Sequence, residues 1–279
     1  MALLHAGIVY SGAIIVLRTH ELLMVEGTAL TVLVLVGLLT AAIASLAMLT
    51  QTAIKSSLAW STTGQLGFML MELGLGLFVL GLLHLIAHSL YKAHAFLSSG
   101  SIVDQLRAPS APGKRPAGPA LWGATVLVSG GIVYSMAALW GLSPVHEPAL
   151  IALGIILTVA TTQLLLAAGT RGMGPGFAAR LVGLTAVVST AYFALHKLFA
   201  TAFAGALAPI PEAASAGQYL LLALVATVFL GLSFFQSVLI HGDGRPWLRR
   251  LYVHLYNGLY TDQPVERLVY RVWPAKFRR

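Results

Sequence analysis

Eight apolar runs follow one another through this chain, at residues 2–18, 27–49, 56–73, 77–103, 120–141, 149–169, 178–206 and 217–240. Each is about 17 residues or longer, the length a helix needs to cross a hydrocarbon layer of about 30 Å. In lipid every backbone polar group has to be satisfied inside its own segment, so such runs fold as helices. The fold class that follows is all-α: a polytopic membrane helix bundle of about eight transmembrane helices, with amphipathic helices at the C-terminus. Composition agrees, with 9% charged residues and a mean hydropathy of +0.85, against about 25% charge in a soluble domain. The absence of cysteine excludes disulfide frameworks and cysteine metal sites.

The third run carries Ser56, Ser57, Ser61, Thr62, Thr63 and Gln65. It is too polar to face lipid all round, and its polar side is expected to face other helices. Charge placement tests the count of eight. If every run spans, fourteen of the seventeen Lys and Arg fall on one side: Lys55, Arg107, Lys114, Arg115, Arg171, Arg180 and the eight of the tail. The other side holds Glu21, Glu26, Glu147 and Glu212, with Glu72 near its edge and Arg18 as its one basic group. By the positive-inside rule the basic loops and both termini of this chain lie in the cytoplasm of an inner (plasma) membrane protein.

One linker stands out. Residues 105–119 are rich in proline and glycine, which rules out regular helix there. It divides a front four-helix block, 1–104, from a rear four-helix block, 120–240, and a cytoplasmic tail follows at 241–279. Two tail stretches, Pro246–Tyr256 and Val265–Trp273, interleave aromatic and basic residues. They read as amphipathic helices in the headgroup layer, or as a docking surface for a partner.

The chemistry is concentrated in the fourth run. His84, His88 and Lys92 lie four apart, so on a helix they share one face along about 12 Å of axis. Titratable groups at membrane depth are expensive and are kept where they have partners or water, usually on ion paths. A lysine poised between burial and a nearby anion, in line with two histidines, can gain and lose a proton near neutral pH. The column therefore reads first as a proton path. Three polar residues merely satisfied by neighbouring helices are the plain alternative. A zinc site is disfavoured because Leu85, not Glu, follows the first histidine.

Lys197, with His196, forms a second candidate site inside the seventh run, and His5 a third early in the first. His94 belongs to another face. Glu72 is read as an interfacial acid and Lys55 as an ordinary positive-inside lysine, both as accessory groups. No nucleophile elbow, phosphate loop or cofactor fingerprint is present, so no cofactor is expected and any covalent chemistry resides in a partner.

Three ordered motifs resemble a known family. Leu3-Leu4-His5-Ala6-Gly7, the stretch from Gln51-Thr52 through Ile54-Lys55 to Gly64-Gln65-Leu66-Gly67-Phe68-Met69, and His84-x3-His88-x3-Lys92-Ala93-x-x-Phe96-Leu97 are similar to the proton-translocating, antiporter-like membrane subunits. That family includes the large membrane subunit of NADH–quinone oxidoreductase (subunit 5, NuoL), the Mrp antiporter large subunit and the DabB subunits of inorganic-carbon accumulation. The resemblance covers residues 2 to 104 in detail. It implies that His5 belongs to a central hydrophilic axis, that His84, His88 and Lys92 continue it, and that Lys197 stands where the family ends its channel. The sequence departs from the pattern at Ala53, Ser56 and Trp60. It also begins inside the family's conserved domain, so earlier helices with a key glutamate and lysine are expected upstream of Met1, in a longer protein.

Ser143–Pro148 and Leu251–Tyr260 resemble the DabB branch more than the respiratory one. That branch implies a membrane subunit supplying proton or cation translocation to a soluble, zinc-containing, carbonic-anhydrase-like partner (DabA-like). The alternatives are a proton-pumping subunit of NADH–quinone oxidoreductase, an Mrp-type antiporter, and a membrane scaffold without conduction.

Overall fold

The computed structural model describes residues 2–25, 27–99, 117–142, 148–170, 174–208, 215–239 and 246–272. Most of the linker expected at 105–119, Glu26, Glu147, Glu212, Arg107, Lys114, Arg115, Arg171, most of Ser143–Pro148 and the tail beyond Val272 fall outside these residues. Among the described residues the chain is helical, without a β-strand. We number the helices α1 (Ala2–Ala6), α2 (Ser11–Arg18), α3 (His20–Val25), α4 (Gly27–Met48), α5 (Ile54–Gly74), α6 (Phe78–Ser98), α7 (Pro119–Leu139), α8 (Leu150–Thr170), α9 (Pro175–Ala202), α10 (Ala216–Phe234), α11 (Pro246–Tyr256) and α12 (Asp262–Val272).

Four segments are long and apolar enough to cross a membrane: Gly27–Met48, Pro119–Leu139, Pro175–Ala202 and Ala216–Val238. Leu3–Arg18 and Leu150–Leu166 are shorter apolar helices. α5 and α6, of 21 residues each, are as long but carry polar groups along their buried sides. Leucine, isoleucine and valine side chains stand exposed around the bundle, among them Leu39, Leu127, Val187 and Leu220. In water such a surface would drive association; in lipid it is the solvated face. The molecule is an all-α membrane helix bundle.

Local chemistry sets the ends of several helices. α7 and α9 open with proline in the first turn, where a missing N–H costs nothing. α10 opens with a capping box in which Ser215 and Gln218 satisfy each other's backbone N–H. α5 and α6 are joined by a tight turn at Gly76, whose φ of +78° suits glycine.

α4 and α5 form a hairpin with direct backbone contact. A Cβ at Gly67 would lie 2.6 Å from the Ala41 nitrogen, and one at Gly37 would lie 2.5 Å from the Gly67 oxygen. Small residues at such crossings let helices approach closely in lipid. Behind this hairpin, Val34, Leu38 and Met71 form a core with Ala152 of α8 and Leu222 and Val225 of α10. The rear helices thus pack against the front ones rather than standing apart from them.

Two details differ from the sequence expectation. The first run is not one helix: it breaks at Gly7 and passes through a single 3-10 turn, Ile8–Tyr10, before α2. Glycine there lowers the cost of leaving helical geometry. The seventh run also ends sooner, because α9 stops at Ala202 and the chain turns through Gly205 at φ +86°. In the tail α11 spans the residues expected, and the second helix begins three residues earlier than expected.

Candidate functional site

α6 carries the column, and three elements close around it. Its His88 and Lys92 are buried, and Lys92 has no exposed surface. His84 keeps 15% of its side chain exposed. α5 runs antiparallel on one side, and α1 and α2 cover the other. The face that bears the three residues therefore points into protein and not into acyl chains.

Each member has a partner drawn from a different element. His84 Nδ1 lies 2.9 Å from Glu72 Oε2, and His84 Nε2 lies 2.9 Å from Gln65 Oε1. Gln65 and Glu72 are seven residues apart on α5, so both reach the same side of that helix. The Glu72–His84 pair is the one ion pair among the described residues. A glutamine amide can offer either its oxygen or its NH2 to an imidazole nitrogen, so Gln65 satisfies His84 both with and without its second proton.

His84 and His88 meet edge to face with ring centroids 5.7 Å apart. His88 shares a hydrogen bond through Nδ1 with the Tyr10 hydroxyl, while its buried Nε2 has no hydrogen-bond partner among the described residues. Lys92 Nζ donates to the Leu58 carbonyl at 3.2 Å and stands 5.7 Å from the Tyr91 ring centre. The same carbonyl accepts from the Thr62 hydroxyl at 2.9 Å. One turn further along α6, Phe96 stacks on His5 at 4.5 Å, with the His5 Nδ1 buried and unpartnered among the described residues. Glu72, His84, His88, Lys92 and His5 thus follow one another along a single seam between α1, α2, α5 and α6.

The acid is where the sequence reading needs correction. Glu72 was expected at the interface; it is 2% exposed and bonded to His84. Hydropathy puts it near the end of its run, but the short turn at Gly76 folds α6 straight back, so the end of α5 is enclosed by protein. Lys55 is exposed at the start of α5, and His94 is exposed on another face of α6.

Lys197 and His196 are not part of this seam. Lys197 is exposed, lies five residues before the end of α9 and donates to the Trp140 carbonyl at 3.2 Å. A lysine at that place satisfies the C-terminal carbonyls of α7. His196 is buried with its Nδ1 unpartnered among the described residues. Tyr10, Gln65, Thr62 and the Leu58 carbonyl are site groups that sequence reasoning missed. The seven-residue spacing of Gln65 and Glu72 was an available signal; nothing local pointed to Tyr10.

Residues 1–112 match the NADH:quinone oxidoreductase/Mrp antiporter transmembrane family. Along its whole length the chain is 50% identical, over 283 aligned positions, to the probable inorganic carbon transporter subunit DabB2 of Halothiobacillus neapolitanus, covering 50% of that protein. It is 32% identical over 281 positions, 99% of this chain and 51% of the relative, to the probable inorganic carbon transporter subunit DabB of Hydrogenovibrio crunogenus. It is 40% identical over 103 positions, 37% of this chain and 17% of the relative, to NADH-quinone oxidoreductase subunit L of Buchnera aphidicola subsp. Schizaphis graminum. The chain spans about half the length of the two inorganic carbon relatives. Through the seam, the family match over residues 1–112 and these relatives together, the chain is similar to the antiporter-like membrane subunits related to NADH:quinone oxidoreductase and the Mrp antiporters.

Proposed function

We propose that this chain belongs to the membrane subunit of an inorganic carbon (CO2 or bicarbonate) uptake complex, in which it carries part of a proton or cation path. The observation that carries the reading is the buried seam of Glu72, His84, His88 and Lys92, in which each titratable group has a neighbour or an acceptor. Buried ionisable groups in lipid are costly and are retained for ion movement. The atoms along which a proton would pass are the ring nitrogens of His84 and His88 and Lys92 Nζ, and His5 extends the line.

The similarity to DabB2 runs the whole length of the chain, rear block and tail included. That extent favours the inorganic carbon branch over the respiratory one, for which the subunit L match stops after about a hundred residues. A soluble, zinc-containing, carbonic-anhydrase-like subunit is the partner that this reading requires, and proton or cation flow through the membrane subunit energises it. The complex lies in the cell inner membrane, with both termini of this chain in the cytoplasm.

The test is uptake of labelled bicarbonate by cells expressing the full-length protein with its partner. Lys92→Ala and His88→Ala are each expected to abolish uptake while the protein still inserts in the membrane. Uptake at the unsubstituted rate in either inserted variant would overturn the proton path and favour a scaffold.

A further inference from the structure

Among the described residues, the C-terminal tail meets the bundle where α4 ends and α5 begins. Gln51 Nε2 donates to the Tyr256 carbonyl at 3.2 Å, and the Tyr252 hydroxyl donates to the Thr50 carbonyl at 3.4 Å. Leu255 of α11 is buried. Directly after α11, Gly258 lies flush against the six-membered ring of Trp60: a Cβ on it would come within 2.6 Å of the ring. Three consecutive residues there, Gly258, Leu259 and Tyr260, have φ of +59°, +54° and +55°. Left-handed backbone is costly for leucine and tyrosine and persists where surrounding contacts impose it.

The segment that these contacts hold has little support of its own. α5 begins after Ala53 without a side-chain cap, and residues 52–56 are exposed. Leu58, whose carbonyl receives Lys92, lies one turn inside this uncapped end, and Trp60 lies two residues further on. The tail therefore bears on α5 at Trp60, within one turn of the carbonyl to which the Lys92 ammonium is bonded.

We propose that the Gly258 turn is a positioning device for Lys92: by bearing on Trp60 and gripping the α4–α5 loop, it fixes the first two turns of α5 and hence the Leu58 carbonyl that receives the ammonium. Gly258 and Trp60 are positioning residues and touch no transported ion. The inference rests on the proton path proposed above.

The experiment compares Gly258→Val, Trp60→Ala and Lys92→Ala in the full-length protein with its partner, reading insertion, initial bicarbonate uptake and the pH profile of uptake. The first two are expected to insert, to lower the rate about tenfold, as loss of a hydrogen bond to a charged group does, and to shift the pH profile in the same direction. Restoring an aromatic ring with Trp60→Phe is expected to recover rate and profile together. An inserted Gly258→Val or Trp60→Ala variant with the unsubstituted pH profile, whatever its rate, would overturn the positioning role. If Gly258→Val fails to insert, the Trp60 pair decides alone. Unchanged uptake in Lys92→Ala would instead remove the proton path itself.

Discussion

At the scale of single residues, the seam is built from groups that do not stand near one another in sequence. His84 takes its partners from α5, His88 from the turn before α2, and Lys92 from a backbone carbonyl. Removing one partner of a buried hydrogen bond leaves the other unsatisfied, at about 1–3 kcal/mol. Glu72→Ala is therefore expected to lower the stability of the detergent-solubilised protein by that order, read from its unfolding midpoint, and Glu72→Gln to lower it less. Gln65→Leu leaves His84 Nε2 without its partner in either protonation state. Bicarbonate uptake is expected to fall about tenfold with insertion intact; an unaltered rate would show that Gln65 is a bystander. The column on α6 was legible because a four-residue spacing survives any tertiary arrangement of one helix. Its partners were not, since spacing within a helix says nothing of which neighbour lies opposite. Glu72 was read as interfacial for the same reason, and the end of α9 was not legible because it depends on a turn at Gly205 that hydropathy does not mark.

Among the elements, the α4–α5 hairpin has the least tolerance. Gly37, Gly67 and Gly74 each lie within 2.7 Å, from a hypothetical Cβ, of backbone atoms on the facing helix. Gly67→Ala is expected to force the helices apart and to destabilise the protein by about 1–3 kcal/mol, as overpacking does. Gly183→Ala in α9 meets nothing within 4 Å and is expected to be neutral or slightly stabilising. Comparing the two unfolding midpoints in detergent checks the contrast; equal midpoints would refute the close backbone contact. The helices of this hairpin were legible from apolar length. Their intimacy was not, because glycine in a membrane helix is equally consistent with an open face and with a close crossing.

For the whole molecule, the distribution of Lys and Arg anticipates an orientation with the basic loops in the cytoplasm. Thr19, between α2 and α3, and Thr261, before α12, then lie on opposite sides of the membrane. The chain has no cysteine of its own, so single cysteines at these two positions report cleanly on a cysteine-free background. Thr19→Cys is expected to react with an impermeant maleimide added outside intact spheroplasts, and Thr261→Cys only after the membrane is opened. Labelling of both from outside would reverse the reading of the basic loops. α9 imposes a different constraint at this scale. Its 28 residues amount to about 42 Å of helix, roughly 12 Å more than the acyl region it crosses. The surplus is taken up by tilt or by ends that reach into the headgroup layer, in proportions that the thickness of the bilayer sets. Since Lys197 ties α9 to the end of α7, the acyl-chain length of the host membrane becomes a setting that both helices register together.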